Sequence, residues 1–180
     1  MPNNAIKFAH HGRRTSRPLG RLWQMLCQYK RMRTNRILPP TYLLLSISTM
    51  VLLHFLIPVS KVVSYPWNLL GILLLIIGGA LNLIADAAFK REKTTVKPFE
   101  KSTALVVSGV FTISRHPMYL GMVIILLGIA ILMGTLTPFI VVVIFGILME
   151  LVFVNPEERM LEEQFGATWI AYKMKVRKWV

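Results

Sequence analysis

Four apolar runs constrain this chain more than any other feature. They cover residues 40–57, 67–89, 117–133 and 138–154. A helix that crosses a bilayer needs about 20 apolar residues, within a range of about 17–25. All four runs approach that length, and the backbone in lipid must satisfy its own hydrogen bonds, which favours helix. The expectation is therefore an all-α, polytopic membrane protein with four transmembrane helices. The last two runs are short. They are joined by Gly134-Thr135-Leu136-Thr137-Pro138, an uncharged link with turn residues, which predicts a tight helical hairpin turning at the far interface, with a hairpin that dips in without fully crossing as the alternative.

Hydrophobic residues make up 54% and charged residues 16% of the chain, and mean hydropathy is +0.57. Those values exclude an ordinary soluble domain. The net charge of +13 does not indicate nucleic-acid binding, because a basic soluble binder would not carry such apolar runs. It points instead to an anionic membrane surface and to topology. Lys and Arg number nine in residues 1–40, six in residues 90–115 and five from Arg159 onward, while the other two links hold Lys61 alone. Both termini and the middle loop are therefore expected to be cytoplasmic. The single cysteine, Cys27, rules out an intramolecular disulfide and a thiolate metal cluster. No metal site is expected, and no signal for oligomeric state is present.

Residues 1–38 form a basic arm. Within it Leu19, Leu22, Trp23 and Leu26 repeat at helical spacing, with Arg17, Arg21, Gln24, Gln28 and Arg31 opposite. This predicts a short helix lying on the membrane surface.

Two motifs carry chemistry. In ISRHPMYLG, residues 113–121, Pro117 suits the first turn of a helix. His116 then falls near the N-cap and Arg115 just outside it. Free N–H groups, the positive helix end and Arg115 together make an anion-binding place, with Tyr119 and Gly121 in the first turn. An ordinary interfacial boundary has the same ingredients: Arg for topology, Tyr for the aromatic belt and Pro to start a helix. In the second motif, Asn155 is placed to cap and Pro156 to start a helix over residues 156–176. Glu157 and Glu158 fall in its first turn. Leu161, Phe165, Trp169 and Tyr172 give it an apolar face for the bilayer edge. Two sites of opposite sign at cytoplasmic helix starts suit a zwitterionic ligand. Asp86 and Glu150 lie in or near spans, where ionised groups are costly, and Asn82 shares a face with Asp86. His54, near the far end of the first span, reads as an interfacial histidine with no evident partner.

TALVVSGVFTISRHPMYLG, followed by an apolar hairpin and EERMLEEQFGATWIAY, resembles the isoprenylcysteine carboxyl methyltransferase and phospholipid methyltransferase superfamily. The resemblance covers residues 93–177. It implies a membrane methyltransferase domain over residues 39–180. Such a domain binds S-adenosyl-L-methionine at the cytoplasmic face and takes a lipophilic substrate from the bilayer. Carried over by motif, the cofactor would contact Thr103, Ala104, Leu105, Val106 and Phe111, then His116, Pro117, Met118 and Tyr119. The pair Glu157 and Glu158 would face it from the other side. His116, Glu157 and Arg115 are the implied catalytic residues. Gly109-Val110-Phe111-Thr112 and Trp169 depart from the common pattern. Phe153 stands where the prenylcysteine branch tends to carry an Arg that reads a carboxylate, which speaks against a carboxylate substrate. If the nucleophile is an amine, His116, Asp86 or Glu150 can take its proton. The rival readings are an NADPH-dependent reductase of the related sterol reductase type and a non-catalytic protein on the same fold.

Overall fold

The structure, a computed structural model, describes residues 38–91 and 105–180. The expected surface helix of the basic arm, Thr103 and Ala104 lie outside the described residues.

Every regular element among the described residues is helical, with no strand; the one bridge, Lys61 with Thr135, is isolated. Helix α1 spans Pro39–Leu56 and opens with proline in its first turn, where the missing N–H costs nothing. It stops before Pro58, which disfavours helical backbone at the preceding residue. A 3-10 turn, Trp67–Leu69, leads into α2, Leu70–Arg91. Lys90 and Arg91 sit in the last turn of α2, where the helix dipole favours cations. Helix α3 spans Pro117–Met133 and α4 spans Leu136–Met149.

Helices α2 and α3 run antiparallel at close range because of four glycines. Gly71 and Gly78 of α2 face Gly128 and Gly121 of α3. A Cβ on Gly78 would stand 2.7 Å from the Gly121 carbonyl oxygen, and one on Gly128 would stand 2.7 Å from that of Gly71. Small residues are what let helix backbones approach in lipid, where no hydrophobic drive separates helix from solvent. The opposite face of α3 supplies Met122, Leu126 and Ala130 to the main core. That core also takes Met50 from α1, and Val141, Val142, Phe145 and Met149 from α4. Thus α3 is the central helix, and α1 and α2 flank it.

The far end of the bundle is stitched by polar contacts. Gly134 ends α3 in the left-handed region (φ 70°), and its carbonyl accepts the N–H groups of Val62 and Val63 at 2.8 and 3.1 Å. The Thr137 hydroxyl donates to the Ile57 carbonyl at 2.8 Å. His54 is not without a partner: its Nδ1 is hydrogen-bonded to Thr135 Oγ1 at 2.8 Å.

Among the described residues, three helices are long and apolar enough to cross a membrane: Pro39–Leu56, Trp67–Arg91 and Leu136–Phe165. The fourth apolar helix, Pro117–Met133, is shorter, with 17 residues, or about 25 Å at 1.5 Å per residue. The expected start of a new helix at Asn155 is corrected. Asn155 has helical backbone (φ −64°, ψ −43°) and no capping role. The chain continues from α4 through a π-helical turn, Glu150–Val154, into α5, Asn155–Phe165. Pro156 explains the change of ladder. It offers no N–H to the carbonyl four residues earlier, and a wider turn re-pairs the helix there. The expected single helix over residues 156–176 is also corrected. Gly166 (φ 50°, ψ −121°) breaks it, and α6 spans Ala167–Lys175.

These contacts give a direct test of the α2–α3 seam. Gly78→Leu must push the two backbones apart and is expected to lower stability by about 1–3 kcal/mol. Gly79→Leu should leave it nearly unchanged, since nothing lies within 4 Å of its Cβ position. Thermal unfolding of both variants in detergent micelles reads the difference.

Candidate functional site

The end of α2, the start of α3, the start of α1 and the beginning of α5 meet around one cavity of about 190 Å³. Its apolar wall is made by Leu38, Pro39, Pro40, Phe89, Met118 and Met122. Its polar wall is made by Arg115, His116, Tyr119 and Glu157, with Phe111 and Pro117 between.

The loop before α3 is shaped by short-range bonds. A 3-10 turn, Gly109–Thr112, begins at Gly109 in the left-handed region (φ 64°). It buries Phe111, whose ring meets that of Phe89 edge-on at 5.2 Å. The Tyr172 hydroxyl of α6 donates to the Phe111 carbonyl at 2.6 Å. Burial pushes the Tyr172 phenol up to about 12, although nearby Arg115 opposes the shift, so the hydroxyl stays a donor across the physiological range. Ser114, fully buried, accepts the His116 N–H at 3.2 Å.

Arg115 is a buried cation, with 7% of its side chain exposed. Its Nη1 lies 2.9 Å from Glu158 Oε1, and its guanidinium sits 5.8 Å from the Trp169 ring centre. His116 Nε2 lies 3.2 Å from the same carboxylate oxygen. A buried charge survives only when paired, and Glu158 supplies that partner to both groups. Residue 157 is turned about 100° from residue 158 around the helix, so Glu157 faces the cavity instead. There it accepts a hydrogen bond from the Tyr119 hydroxyl at 2.9 Å. Among the described residues, Nε and Nη1 of Arg115 make no well-directed hydrogen bond, although both are buried. A guanidinium whose charge Glu158 balances and the carboxylate of Glu157 thus line one small cavity. That pairing can hold a compact group bearing both a carboxylate and an ammonium.

The sequence-derived residues fall into three sets. Arg115, His116, Pro117, Met118, Tyr119, Phe111 and Glu157 all line the cavity. Glu158 stands behind it and holds Arg115 and His116, so the basic wall is not open in the way expected. Val106 is buried with Ala85 and Phe111 in a small separate cluster, and neither it nor Leu105 lines the cavity. Asp86 and Glu150 are engaged elsewhere: Asp86 pairs with Lys90 at 2.6 Å, and Glu150 with Lys178 at 3.0 Å. Asn82 donates to the Gly78 carbonyl of its own helix at 2.9 Å. Trp169 and Tyr172, expected to face the bilayer edge, are buried against Arg115 and Phe111. Phe153 is buried and packs on Tyr42 and Tyr119, with ring centres 5.4 and 6.1 Å away.

A family model described as phospholipid methyltransferase matches residues 67–168. That is more than half of the chain and includes α2, α3, α4, α5 and most of the cavity wall. The chain belongs to the phospholipid methyltransferase family. Membership agrees with the resemblance drawn from the two sequence motifs, and with the apolar helices it marks an integral membrane protein of a methyltransferase family. It does not favour the reductase reading. Searches among curated proteins and among solved structures return no match. Leu38, Pro39, Pro40, Phe89 and Met122 were missed from sequence because they come from separate helix ends and carry no motif. Trp169 and Tyr172 carried the right spacing but were assigned to the wrong surface.

The pairing of Arg115 with Glu158 predicts asymmetric costs. Glu158→Ala leaves a buried unpaired cation and should destabilise by about 3–5 kcal/mol. Replacing both partners by methionine should recover most of that loss. Unfolding midpoints of the single and double variants check this.

Proposed function

We infer that the protein is a membrane methyltransferase that uses S-adenosyl-L-methionine to methylate a lipid or another lipophilic small molecule. The observation that carries the reading is that Arg115, held by Glu158, and the carboxylate of Glu157 line one small cavity. The residues fit the amino-acid end of that cofactor: Arg115 suits its carboxylate and Glu157 its ammonium. When bound, the cofactor supplies a sulfonium-activated methyl group. A cavity of about 190 Å³ falls below the usual ligand range of about 300–1,000 Å³, so it accommodates that end and not the whole molecule.

The protein's own residues then have distinct work. Tyr119 orients the Glu157 carboxylate through its hydroxyl. Phe89, Met118 and Met122 form a dry wall, which keeps water from competing with the acceptor. Holding the reacting groups in line is the main source of rate, worth about 7–11 kcal/mol in well-ordered cases. For an amine acceptor, His116 is the best-placed base of the three considered, because it lines the cavity and Asp86 and Glu150 do not. A proton taken at His116 Nδ1 leaves an imidazolium that Glu158 stabilises through Nε2. Leu38 to Pro40 of α1 and Phe89 of α2 reach the cavity from opposite flanks of α3. The gap between α1 and α2 is thus the natural apolar path for a lipophilic substrate.

The described cations, Lys61 apart, lie at the cavity end of the bundle. By the positive-inside rule that end is cytoplasmic, with both termini and with four crossings if α3 also spans. The same cations suit contact with anionic lipid headgroups. We assign residues 39–180 to the methyltransferase domain and residues 1–38 to a basic arm.

The test is binding of S-adenosylhomocysteine to purified protein by calorimetry, with NADPH as the comparison. Micromolar binding of the first and none of the second is expected. Glu157→Gln removes a charge-assisted contact worth about 1.5–3 kcal/mol, so affinity should fall at least about tenfold. Unchanged affinity in that variant would remove Glu157 from the site. Labelled S-adenosylmethionine incubated with a total lipid extract then identifies the acceptor.

A further inference from the structure

The last residues of the chain, beyond the family match, bond both segments that lead to the cavity's polar wall: the loop before α3 and the turn before α5. After α6, the Arg177 carbonyl accepts the Arg115 N–H at 3.1 Å. The Lys178 carbonyl accepts the Ser114 hydroxyl at 3.1 Å. Ser114 in turn holds the His116 N–H, so two consecutive tail carbonyls fix the backbone at residues 114–116. The Lys178 ammonium points the other way along the same strap. It donates to Glu150 Oε1 and to Asn155 Oδ1, each at 3.0 Å. Those two residues bracket the π-helical turn: Glu150 opens it and Asn155 follows its end. Trp179 packs against the main core.

We propose that Lys178 is a positioning residue that couples the two sides of the cavity's polar wall, Arg115 with His116 on one and Glu157 on the other. Its carbonyl sets the Arg115–His116 loop and its ammonium sets the π-helical turn that leads into α5, which carries Glu157 and Glu158.

The geometry of the turn explains why such a tie matters. A π-helical turn is a weak point of a helix and tends to occur at functional sites. A change of one residue in its ladder would rotate everything beyond it by about 100°. Glu157 and Glu158 lie three and four residues past the turn, and they point to different partners. A rotation of that size would exchange those partners or remove both. An ammonium that bridges the two ends of the turn resists that change. Lys178 does not line the cavity and its side chain is part exposed. Any effect it has on ligand binding therefore runs through the walls. Asn155, which does not cap a helix, gains a role as the second acceptor of this bridge.

The experiment compares wild-type protein with Lys178→Met and Lys178→Arg in detergent micelles. Methionine keeps the stem and the backbone carbonyl and removes only the ammonium. Arginine can still reach two acceptors. Peptide-level hydrogen exchange is followed at residues 113–117 and 150–158, alongside thermal unfolding and S-adenosylhomocysteine affinity. For Lys178→Met, faster exchange in both segments is expected with little change in the unfolding midpoint. Affinity should be about tenfold weaker, as misplaced binding groups predict, and Lys178→Arg should restore exchange and affinity together. Faster exchange confined to the tail, or in only one wall, would overturn the coupling. So would a loss that arginine fails to rescue. If Lys178→Met does not fold, Asn155→Ala and Glu150→Gln, each removing one arm of the bridge, must loosen both segments or the proposal fails. The affinity arm rests on the cofactor reading above, but the exchange arm does not. Wild-type protein that binds no S-adenosylhomocysteine, with both walls loosened in Lys178→Met, would sink that reading and leave the coupling standing.

Discussion

Arg115 is a permanent cation held out of water at the edge of an apolar bundle, and the geometry of the site follows from the need to compensate it. At low effective dielectric an unpaired guanidinium is costly enough to prevent folding around it. Glu158 is the neutralising group. It also takes His116 Nε2 at 3.2 Å, so one carboxylate anchors the loop before α3 to the helix after the π-helical turn. Trp169 covers the guanidinium from the third side. The arrangement joins the start of α3, the beginning of α5 and the middle of α6 through a single buried charge.

With Glu158 fixed, its neighbour has little choice. Consecutive helical residues diverge by about 100°, which sends Glu157 toward the cavity and the Tyr119 hydroxyl. The acidic pair is therefore not a doubled version of one function. One member is consumed by the ion pair and the other faces the cavity. The same logic applies to the aromatic residues of α6. Trp169 and Tyr172 are three residues apart, hence on one face, and that face is committed to Arg115 and to the Phe111 carbonyl. Ile170 and Met174 remain on the exposed side.

The membrane fold was legible in the sequence because its cause is additive: enough apolar residues in a row, with cations at one set of ends. Boundaries of the first three runs came within a few residues of α1, α2 and α3, since prolines and charges mark them. The error after residue 154 has a specific origin. Asn-Pro is a strong local signal for a helix start, but Pro156 also tolerates a helical predecessor when the hydrogen-bond ladder widens by one residue. Tertiary contacts from Lys178 favour that outcome, and they come from residues 23 and 28 positions away along the chain. Gly166 was legible in principle, as a glycine inside an amphipathic pattern, yet the apolar spacing across it concealed the break. For the site, contiguous motif residues were found and scattered ones were not. The positions of Phe89, Met122 and residues 38–40 follow only from how the helices pack.

On the reading proposed above, the site has already spent its charged groups. Glu158 offsets Arg115, Glu157 and Arg115 suit the two ends of a zwitterion, and Glu150 and Asp86 are paired with lysines. Phe153, where the prenylcysteine branch tends to place an arginine, is buried between Tyr42 and Tyr119 and offers no charge. Among the described lining residues, Arg115 and His116 are already held by Glu158 and no further Lys or Arg is present to read an acidic acceptor. Discrimination among substrates then falls to the apolar wall and to the path between α1 and α2. Apolar contacts discriminate weakly, by about 1–3 kcal/mol per methylene-sized difference. An enzyme built this way selects a class of lipophilic acceptors by shape and by residence in the bilayer, with the methyl-donor end of the site held rigid and the acceptor end permissive.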